Sequence, residues 1–150
     1  MNSIRVRVAD VDDIPAIVEM LADDPLGATR ENPGDLSAYR AAFEAIDTDH
    51  NQYLVVAVDD SGVVGTAQLS IVPGLSRNGM SRAMIEGVRV RRDRRSDGVG
   101  AILMEWAADM ARTRGCRLIQ LTSDKTRTDA HRFYSRLGYV DSHIGYKRPL

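Results

Sequence analysis

Apolar residues near the start of the chain are spaced first like those of a strand and then like those of a helix. Residues 4–8 alternate apolar and basic side chains, which predicts a strand. Asp10 is a suitable N-cap, and the apolar residues of 11–21 recur at helical spacing, so we predict a first helix there. Two prolines and two glycines predict a loop over residues 23–35. The apolar residues of 39–46 then predict a second, short helix.

The middle of the chain predicts a meander of three strands. Residues 53–58 and 63–72 are β-branched runs, and the sequence Asp-Asp-Ser-Gly at 59–62 between them is typical of a hairpin turn. After a second loop, residues 82–90 have the composition of a third strand. Strands that follow one another through short turns predict an antiparallel arrangement.

The last third of the chain changes to helical spacing. Residues 98–114 carry one apolar stripe, which predicts a long helix that ends at Gly115. A short strand is predicted over 118–122, a helix over 128–137, and one or two final strands over 139–147. This order, with hairpin strands and one βαβ crossover, predicts an α+β fold whose sheet is largely antiparallel with a parallel centre.

Length and composition narrow the class of protein. A chain of 150 residues with no repeat or long linker is expected to form a single domain over 1–150. The net charge of -1 disfavours a dedicated nucleic-acid binder, and no run approaches the ~18 apolar residues that a membrane helix needs. With one cysteine and no signal-peptide pattern, we expect a soluble cytoplasmic protein that binds neither membrane nor nucleic acid.

A basic stretch with two glycines leads from the third meander strand into the long helix. It spans residues 88–100 and places Gly98 and Gly100 at the start of the helix. The first N–H groups of a helix attract anions, glycine lets a ligand approach the backbone, and arginine suits phosphates. These residues predict a phosphate or pyrophosphate site. From the residues alone, a solvated basic loop or a contact with nucleic-acid phosphates is also open.

The run Arg95-Ser96-Asp97-Gly98-Val99-Gly100, and residues 130–139 with Ala130, Tyr134, Gly138 and Tyr139 in order, resemble two motifs of the GNAT acetyltransferase family. The signature Arg/Gln-x-x-Gly-x-Gly/Ala is similar to the run Arg95-Ser96-Asp97-Gly98-Val99-Gly100, in which Ser96 stands where many members have a second glycine. The later pattern Ala-x-x-x-Tyr-x-x-x-Gly-Phe/Tyr is similar to residues 130–139. The resemblance implies the GNAT fold, an α+β (α/β three-layer) arrangement in which about four helices flank a mixed, mainly antiparallel sheet.

The same resemblance implies acetyl-CoA as co-substrate and assigns residues to it. The loop amides would hold the pyrophosphate, with the Asp97 side chain pointing away, and the preceding strand would bind the pantetheine arm. The residues assigned to acetyl-CoA binding are Val88, Arg89, Val90, Arg94, Arg95, Ser96, Asp97, Gly98, Val99, Gly100 and Arg127.

Two side chains are expected to carry the chemistry. Alternation along the strand places Glu86 on one face with Met84, Val88 and Val90, where a carboxylate is costly unless it is paired or functional. Many family members have a glutamate there, which implies a general base; the alternatives are a structural ion pair or an exposed position. Tyr134 matches the family tyrosine that faces the coenzyme sulfur, which implies a general acid, although helical spacing alone favours core packing.

The expected reaction is direct acetyl transfer from acetyl-CoA to a primary amine of a small molecule. The alternatives are acetylation of a protein N-terminus or lysine, and a non-catalytic acyl-CoA binding or sensing module; a nucleic-acid adaptor is a further rival. The resemblance places the acceptor cleft beside the first two helices and their loop, and it makes a homodimer plausible. The three histidines form no metal-ligand pattern, so no metal is expected, and Cys116 is expected to fill buried space.

Overall fold

The computed structural model describes residues 3–150 and is built on one five-stranded sheet. The strand order is β1-β2-β3-β4-β5; neighbours among the first four strands are antiparallel, and β4 and β5 are parallel. This is the mixed, mainly antiparallel sheet that the sequence predicts, but the parallel pair lies at one edge of the described sheet and not at its centre, because no strand forms beyond β5 within residues 3–150. The strands are β1 Arg5–Val8, β2 Gln52–Asp59, β3 Gly62–Val72, β4 Arg82–Val90 and β5 Ile119–Gln120.

Six helical segments surround the sheet, of which four are longer than one turn. The prediction of about four helices is therefore confirmed, and the two additional segments are single turns inside the predicted loops. The segments are α1 Ile14–Ala22, α2 Gly27–Arg30, α3 Ser37–Asp47, α4 Ser76–Gly79, α5 Val99–Thr113 and α6 Thr128–Arg136.

Helices cover both faces of the sheet and give three layers. On one face, α5 packs Leu103 and Met104 against sheet residues such as Leu69 and Ile85. On the other face, Ile17 of α1 packs against the β2 valines. Leu69, Ile85 and Leu103 are at most 1% exposed, and burying a side chain of this size stabilises the fold by roughly 1.5–3 kcal/mol.

The predicted cap, Asp10, begins a 3-10 turn at Val11–Asp13 that leads into α1. The Asp10 carboxylate accepts a hydrogen bond from the N–H of Asp12 at 2.8 Å, and the Asp13 carboxylate accepts one from the N–H of Asp10 at 2.8 Å. This reciprocal capping box satisfies helix N–H groups that would otherwise lack partners. Asp13 also pairs with Arg7 at 2.7 Å, which ties the start of α1 to β1.

The prediction of final strands over 139–147 is wrong. The structure has no strand after Ile119–Gln120, and it leaves the apolar side chains Val140, Ile144 and Tyr146 between 70% and 90% exposed. The physical reason lies in β5, which has two residues instead of the predicted five and so offers little edge for another strand to pair with.

None of the helices within residues 3–150 has the length and apolarity needed to cross a membrane.

Cys116 is 8% exposed and packs in the core beside α5, as predicted. Burial raises the pKa of its thiol.

Candidate active site

Strands β4 and β5 separate soon after they meet, and this opens a gap in the sheet. Their register pairs only Ala83 with Ile119 and Met84 with Gln120. From Ile85 to Val90, β4 pairs with β3 on one side and has no strand partner on the other among the described residues. Unpaired backbone groups along such an edge can bind an extended ligand arm as a further strand would.

A β-bulge in β4 changes which side chains share a face. Thr66 pairs with Arg89 and Gln68 pairs with Glu86, so one residue of β3 opposes two of β4. Gly87 sits in the bulge with φ +62°, a conformation that glycine adopts without steric cost. Residues three apart normally face opposite sides of a strand, but the bulge places Glu86 and Arg89 on the same side.

The bulge corrects the predicted surroundings of Glu86. Glu86 pairs across the sheet with Gln68, which pairs with Leu54, so all three lie on the face covered by α1 and α3. Val88 and Val90 instead pack into the core on the α5 face. The prediction that they share a face with Glu86 is therefore wrong, because simple alternation does not cross a bulge.

The Glu86 side chain is exposed on the open part of this face. Its strand neighbours are polar: Gln52 accepts hydrogen bonds from Gln68 at 3.0 Å and from Ser70 at 2.8 Å. Within residues 3–150, Glu86 itself forms no salt bridge of 4.0 Å or less. This agrees with the exposed position considered from the sequence and leaves the carboxylate accessible to water and to an acceptor.

The predicted anion loop leads into the N-terminus of α5. It contains a 3-10 turn at Arg92–Arg94, and Gly98 has φ +83° before α5 starts at Val99. Ile102 donates its N–H to the Gly98 carbonyl at 3.1 Å. Among the described residues, the N–H groups of 99–101 have no protein acceptor, as expected for a first helical turn.

The two glycines of the loop have different physical roles. A Cβ added at Gly98 would have no atom of another residue within 4 Å, so the space beside this backbone is open. A Cβ at Gly100 would lie 3.1 Å from the Cζ atom of Phe133, so Gly100 lets α5 and α6 pack closely. The free N–H groups, the positive end of the helix dipole and the open space fit a pyrophosphate group.

Most arginines of the loop are held by acidic side chains of the same chain. Arg92 and Arg95 both contact Asp23 at the end of α1, with Arg95 also 3.2 Å from the Asp23 carbonyl oxygen. Arg91 pairs with Asp93 at 2.6 Å. These ion pairs fix the loop against α1 and reduce the positive charge that it presents to other molecules.

Arg94 bridges two carboxylates. Its hydrogen bond to Asp59 is the largest cause that lowers the pKa of Asp59 to about 2. Its Nε atom donates to Asp97 at 2.8 Å. The Asp97 carboxylate is therefore engaged by Arg94, which accords with the expectation that it points away from a bound pyrophosphate.

Tyr134 lies half-buried on α6 between two other aromatic rings. Its ring centre is 5.2 Å from that of Phe133 and 6.0 Å from that of Tyr139. Burial raises the pKa of the Tyr134 phenol, while the charges of Arg127 and Arg89 act in the opposite direction. The phenol therefore stays protonated near neutral pH and can donate a proton.

A buried charge cluster next to Tyr134 was not predicted from the sequence. The Nε atom of Arg89 lies 3.1 Å from the Oδ2 atom of Asp24, and an Nη atom of Arg127 lies 3.6 Å from the same oxygen. Asp24 also accepts the N–H of Gly27 at 2.6 Å. A Cβ at Gly27 would lie 1.9 Å from the Leu21 carbonyl oxygen, so only glycine lets α2 pack against α1 here.

The members of this cluster shift one another's pKa. Burial is the largest influence on Asp24 and favours its neutral form, but the Gly27 hydrogen bond and the charges of Arg89 and Arg127 together lower its pKa. Burial, and then the charge of Arg127, lower the pKa of Arg89. Sequence reasoning assigned Arg89 and Arg127 to the co-substrate, and the structure brings both to Asp24, in the loop between the first two predicted helices.

Comparison with known proteins gives consistent relatives. The model of the acetyltransferase (GNAT) family matches residues 14–139. An aminoalkylphosphonate N-acetyltransferase of Salmonella typhimurium is 30% identical over 97% of this chain and 91% of its own. A streptothricin acetyltransferase of Streptomyces lavendulae is 30% identical over 83% of this chain and 62% of its own.

A solved structure from Bacillus halodurans C-125, described as a transcriptional regulator, superposes with a TM-score of 0.94. It is 43% identical and covers 99% of this chain and 100% of its own. The family match spans both motifs and the elements between them, and both curated relatives are named acetyltransferases, the aminoalkylphosphonate enzyme specifically an N-acetyltransferase. The chain therefore belongs to the GNAT acetyltransferase family and is an N-acetyltransferase.

Proposed function

We propose that this protein transfers the acetyl group of acetyl-CoA to a primary amine of a small molecule, and that residues 1–150 form one catalytic domain. The observation that carries the proposal is the continuity of the open β4 edge with the free N-terminus of α5. An extended arm bound along the strand would deliver its pyrophosphate to the helix. Two of the curated relatives are named for small-molecule acceptors, an aminoalkylphosphonate and streptothricin.

Acetyl-CoA supplies the acetyl group as a thioester. The backbone of Val88 and Val90 would bind its pantetheine arm, because this edge of β4 is unpaired. The loop from Arg94 to Gly100 would hold its pyrophosphate, with the backbone N–H groups at Gly98, Val99 and Gly100 as the main donors. Arg95 is part of this loop, and its side chain can exchange its contact with Asp23 for a contact with a phosphate oxygen.

The amine must be neutral before it can attack. A lysine-like amine has a pKa of ~10.4, so deprotonation at pH 7 costs roughly 4–5 kcal/mol. Glu86 is the proposed base, because its carboxylate is exposed beside the open β4 edge and can accept the proton through water. The amine nitrogen then forms a bond to the acetyl carbonyl carbon and loses one proton to this path.

Tyr134 is the proposed acid. As the bond between carbonyl carbon and sulfur breaks, the sulfur takes up one proton, and the protonated phenol of Tyr134 can donate it. Counted from the ammonium form, the nitrogen loses two protons, one before it attacks and one as the amide forms. The sulfur gains one proton from Tyr134, so the products are an amide, free coenzyme A and one proton released to solvent. Glu86 then gives up its proton to solvent, and Tyr134 regains one from solvent.

Binding of nucleic acid is not part of this proposal, although one similar structure is described as a transcriptional regulator. Arginines that bind DNA must be free to contact phosphates. Here Arg91, Arg92 and Arg94 are each paired with an aspartate of the same chain. Binding to DNA that falls steeply with salt, without affinity for coenzyme A, would contradict the proposal.

Calorimetric titration with acetyl-CoA tests the proposal, with ATP and NAD as controls. We expect selective micromolar binding, and we expect Gly98→Val to abolish it, because a branched side chain would fill the open space at a backbone with φ +83°. Release of thiol with a panel of amines then tests catalysis. Failure of the wild-type protein to bind acetyl-CoA would overturn the assignment, and binding without acetylation of any amine would favour a sensing module.

A further inference from the structure

The charge cluster beside Tyr134 holds more positive than negative charge. Arg89 and Arg127 share the single carboxylate of Asp24. Arg30 is the last residue of α2, and Gly27, the first residue of this one-turn helix, donates its N–H to Asp24; the charge of Arg30 also acts to lower the pKa values of Arg89 and Asp124. Counting Asp24 and Asp124 against three arginines leaves one positive charge in excess. Arg30 and Asp124 are exposed, but Arg89 and Asp24 are largely shielded from water, where an uncompensated charge is costly unless an anion pairs with it.

The hydrogen bonds of the cluster are incomplete. The Nε atom of Arg89 and the Oδ2 atom of Asp24 are buried, and although they lie 3.1 Å apart, neither makes a hydrogen bond of good geometry within residues 3–150. The side chains of both residues are 14% exposed. The Nε atom faces the Asp24 carboxylate and the Nη1 group donates to the Val88 carbonyl at 2.9 Å, while the Nη2 group has no hydrogen-bond partner within residues 3–150 and is suited to a planar or tetrahedral oxyanion.

The position of Arg89 connects this cluster with the proposed base. The β4 bulge puts Arg89 on the same face of the sheet as Glu86, towards α1 and the loop that carries Asp24. The charge of Arg89 also acts on the Tyr134 phenol. An anion at Arg89 would therefore lie on the acceptor side, near both the proposed base and the proposed acid.

We propose that Arg89, assisted by Arg30, binds an anionic group of the acceptor, and that the preferred acceptors are short amines carrying a phosphonate, phosphate or carboxylate group. This inference rests on the proposed acetyl transfer and specifies its substrate class. Arg127 contributes positive charge from the start of α6. The same positive potential disfavours the ammonium form of a nearby amine, so it helps Glu86 to obtain the neutral nucleophile.

Matched acceptors test the charge requirement. β-Alanine and its amide have almost the same shape and differ by one negative charge, and 2-aminoethylphosphonate adds a tetrahedral anion. We expect both anionic amines to show kcat/KM at least about tenfold above that of the amide, the effect of one charge-assisted hydrogen bond. A neutral amide that is acetylated as well as β-alanine would overturn the inference and leave the proposed acetyl transfer intact.

Two variants test the residues. Arg30→Met changes an exposed side chain, and Arg89→Lys keeps the charge but loses the planar fork. Each should lower kcat/KM for the anionic acceptors by a factor at least about fivefold greater than the factor by which it lowers kcat/KM for β-alaninamide. Comparing variant with wild type for each acceptor cancels their different amine pKa values. Arg112→Met, at a 68%-exposed side chain on α5, is the charge-matched control and should affect neither acceptor.

A binding measurement decides the case if no acceptor is turned over. Ethylphosphonate, which has no amine, is titrated into wild type, Arg89→Lys and Arg112→Met, with and without coenzyme A. Binding that is lost in Arg89→Lys and kept in Arg112→Met supports the anion site. No binding, or equal binding by all three proteins, overturns it. Acetyl-CoA titration in the same series reports separately on the proposed function.

Discussion

Gly65 is the position at which adding one methyl group should disturb both the fold and the co-substrate loop. It lies on β3 opposite Val90, directly beneath the first turn of α5. A Cβ there would be 2.8 Å from the Cγ1 atom of Val99, 3.0 Å from the Cδ1 atom of Leu103 and 3.2 Å from the Arg89 carbonyl oxygen. Val99 and Leu103 are at most 1% exposed, so neither can move into solvent.

The cost of Gly65→Ala follows from this crowding. Overpacking a well-filled core by a methyl group typically costs 1–3 kcal/mol, and the Val99 side chain has few alternative rotamers because it is β-branched. We expect a loss of about 2 kcal/mol, which for a chain of 150 residues is a fall in Tm of about 4–8 °C. The simplest relief is a small outward shift of α5, which would also move the N–H groups of 99–101.

Urea denaturation and acetyl-CoA titration together test this reasoning. Gly74→Ala is the control, because its Cβ would meet nothing closer than 3.6 Å, so its stability should stay within about 0.5 kcal/mol of wild type. Gly65→Ala should lose stability and bind acetyl-CoA more weakly. Wild-type stability in Gly65→Ala would show that the contact between α5 and β3 relaxes freely and would refute the argument.

Three further variants probe the site and the loop. Tyr134→Phe should lower kcat by about 100-fold or more while leaving acetyl-CoA affinity unchanged, because the ring packing is kept and the proton donor is lost; full activity would return Tyr134 to a packing role. Glu86→Gln should lower kcat most at low pH, where less of the amine is already neutral, and an unchanged pH-rate profile would exclude Glu86 as the base. Asp59→Asn should be less stable than wild type at pH 6. The difference in stability should shrink as pH falls from about 4 towards 2, because the Asp59 pKa is about 2 when the protein is folded and ~3.9 when it is unfolded. Urea midpoints across this range test it, with the exposed Asp60→Asn as control; a difference that does not change with pH would count against the pairing with Arg94.

The meander and the long helix could be predicted because local pattern and tertiary packing agree there. The predicted strand at 82–90 has the same bounds in the structure, and the predicted helix at 98–114 begins and ends within one residue of α5. These segments bury one continuous face, so periodicity carries the information. The C-terminal segment over 139–147 buries no such face: its apolar residues are exposed, and its predicted strands do not form.

Composition predicts the anion loop but does not predict the backbone conformation of that loop. Ser96 has φ +73°, a left-handed conformation that favours glycine. Its place in the family signature, where many members have a second glycine, is consistent with that backbone. Which acid each arginine would meet could not be predicted, because partners such as Asp23 and Arg95 are 72 residues apart.

The acceptor side depends on two features that no local pattern reveals. The bulge at Gly87 places Glu86 and Arg89 on the same face of the sheet. A single glycine in a strand does not by itself predict a bulge. The cluster of Arg89 with Asp24 joins a strand to a loop on the other side of α1. Because the bulge sets the relation between base and arginine, a change that restores regular alternation in β4 would turn one of these side chains into the α5 core. In the proposed reaction, the strand would therefore supply both the binding edge for acetyl-CoA and the geometry that selects the acceptor.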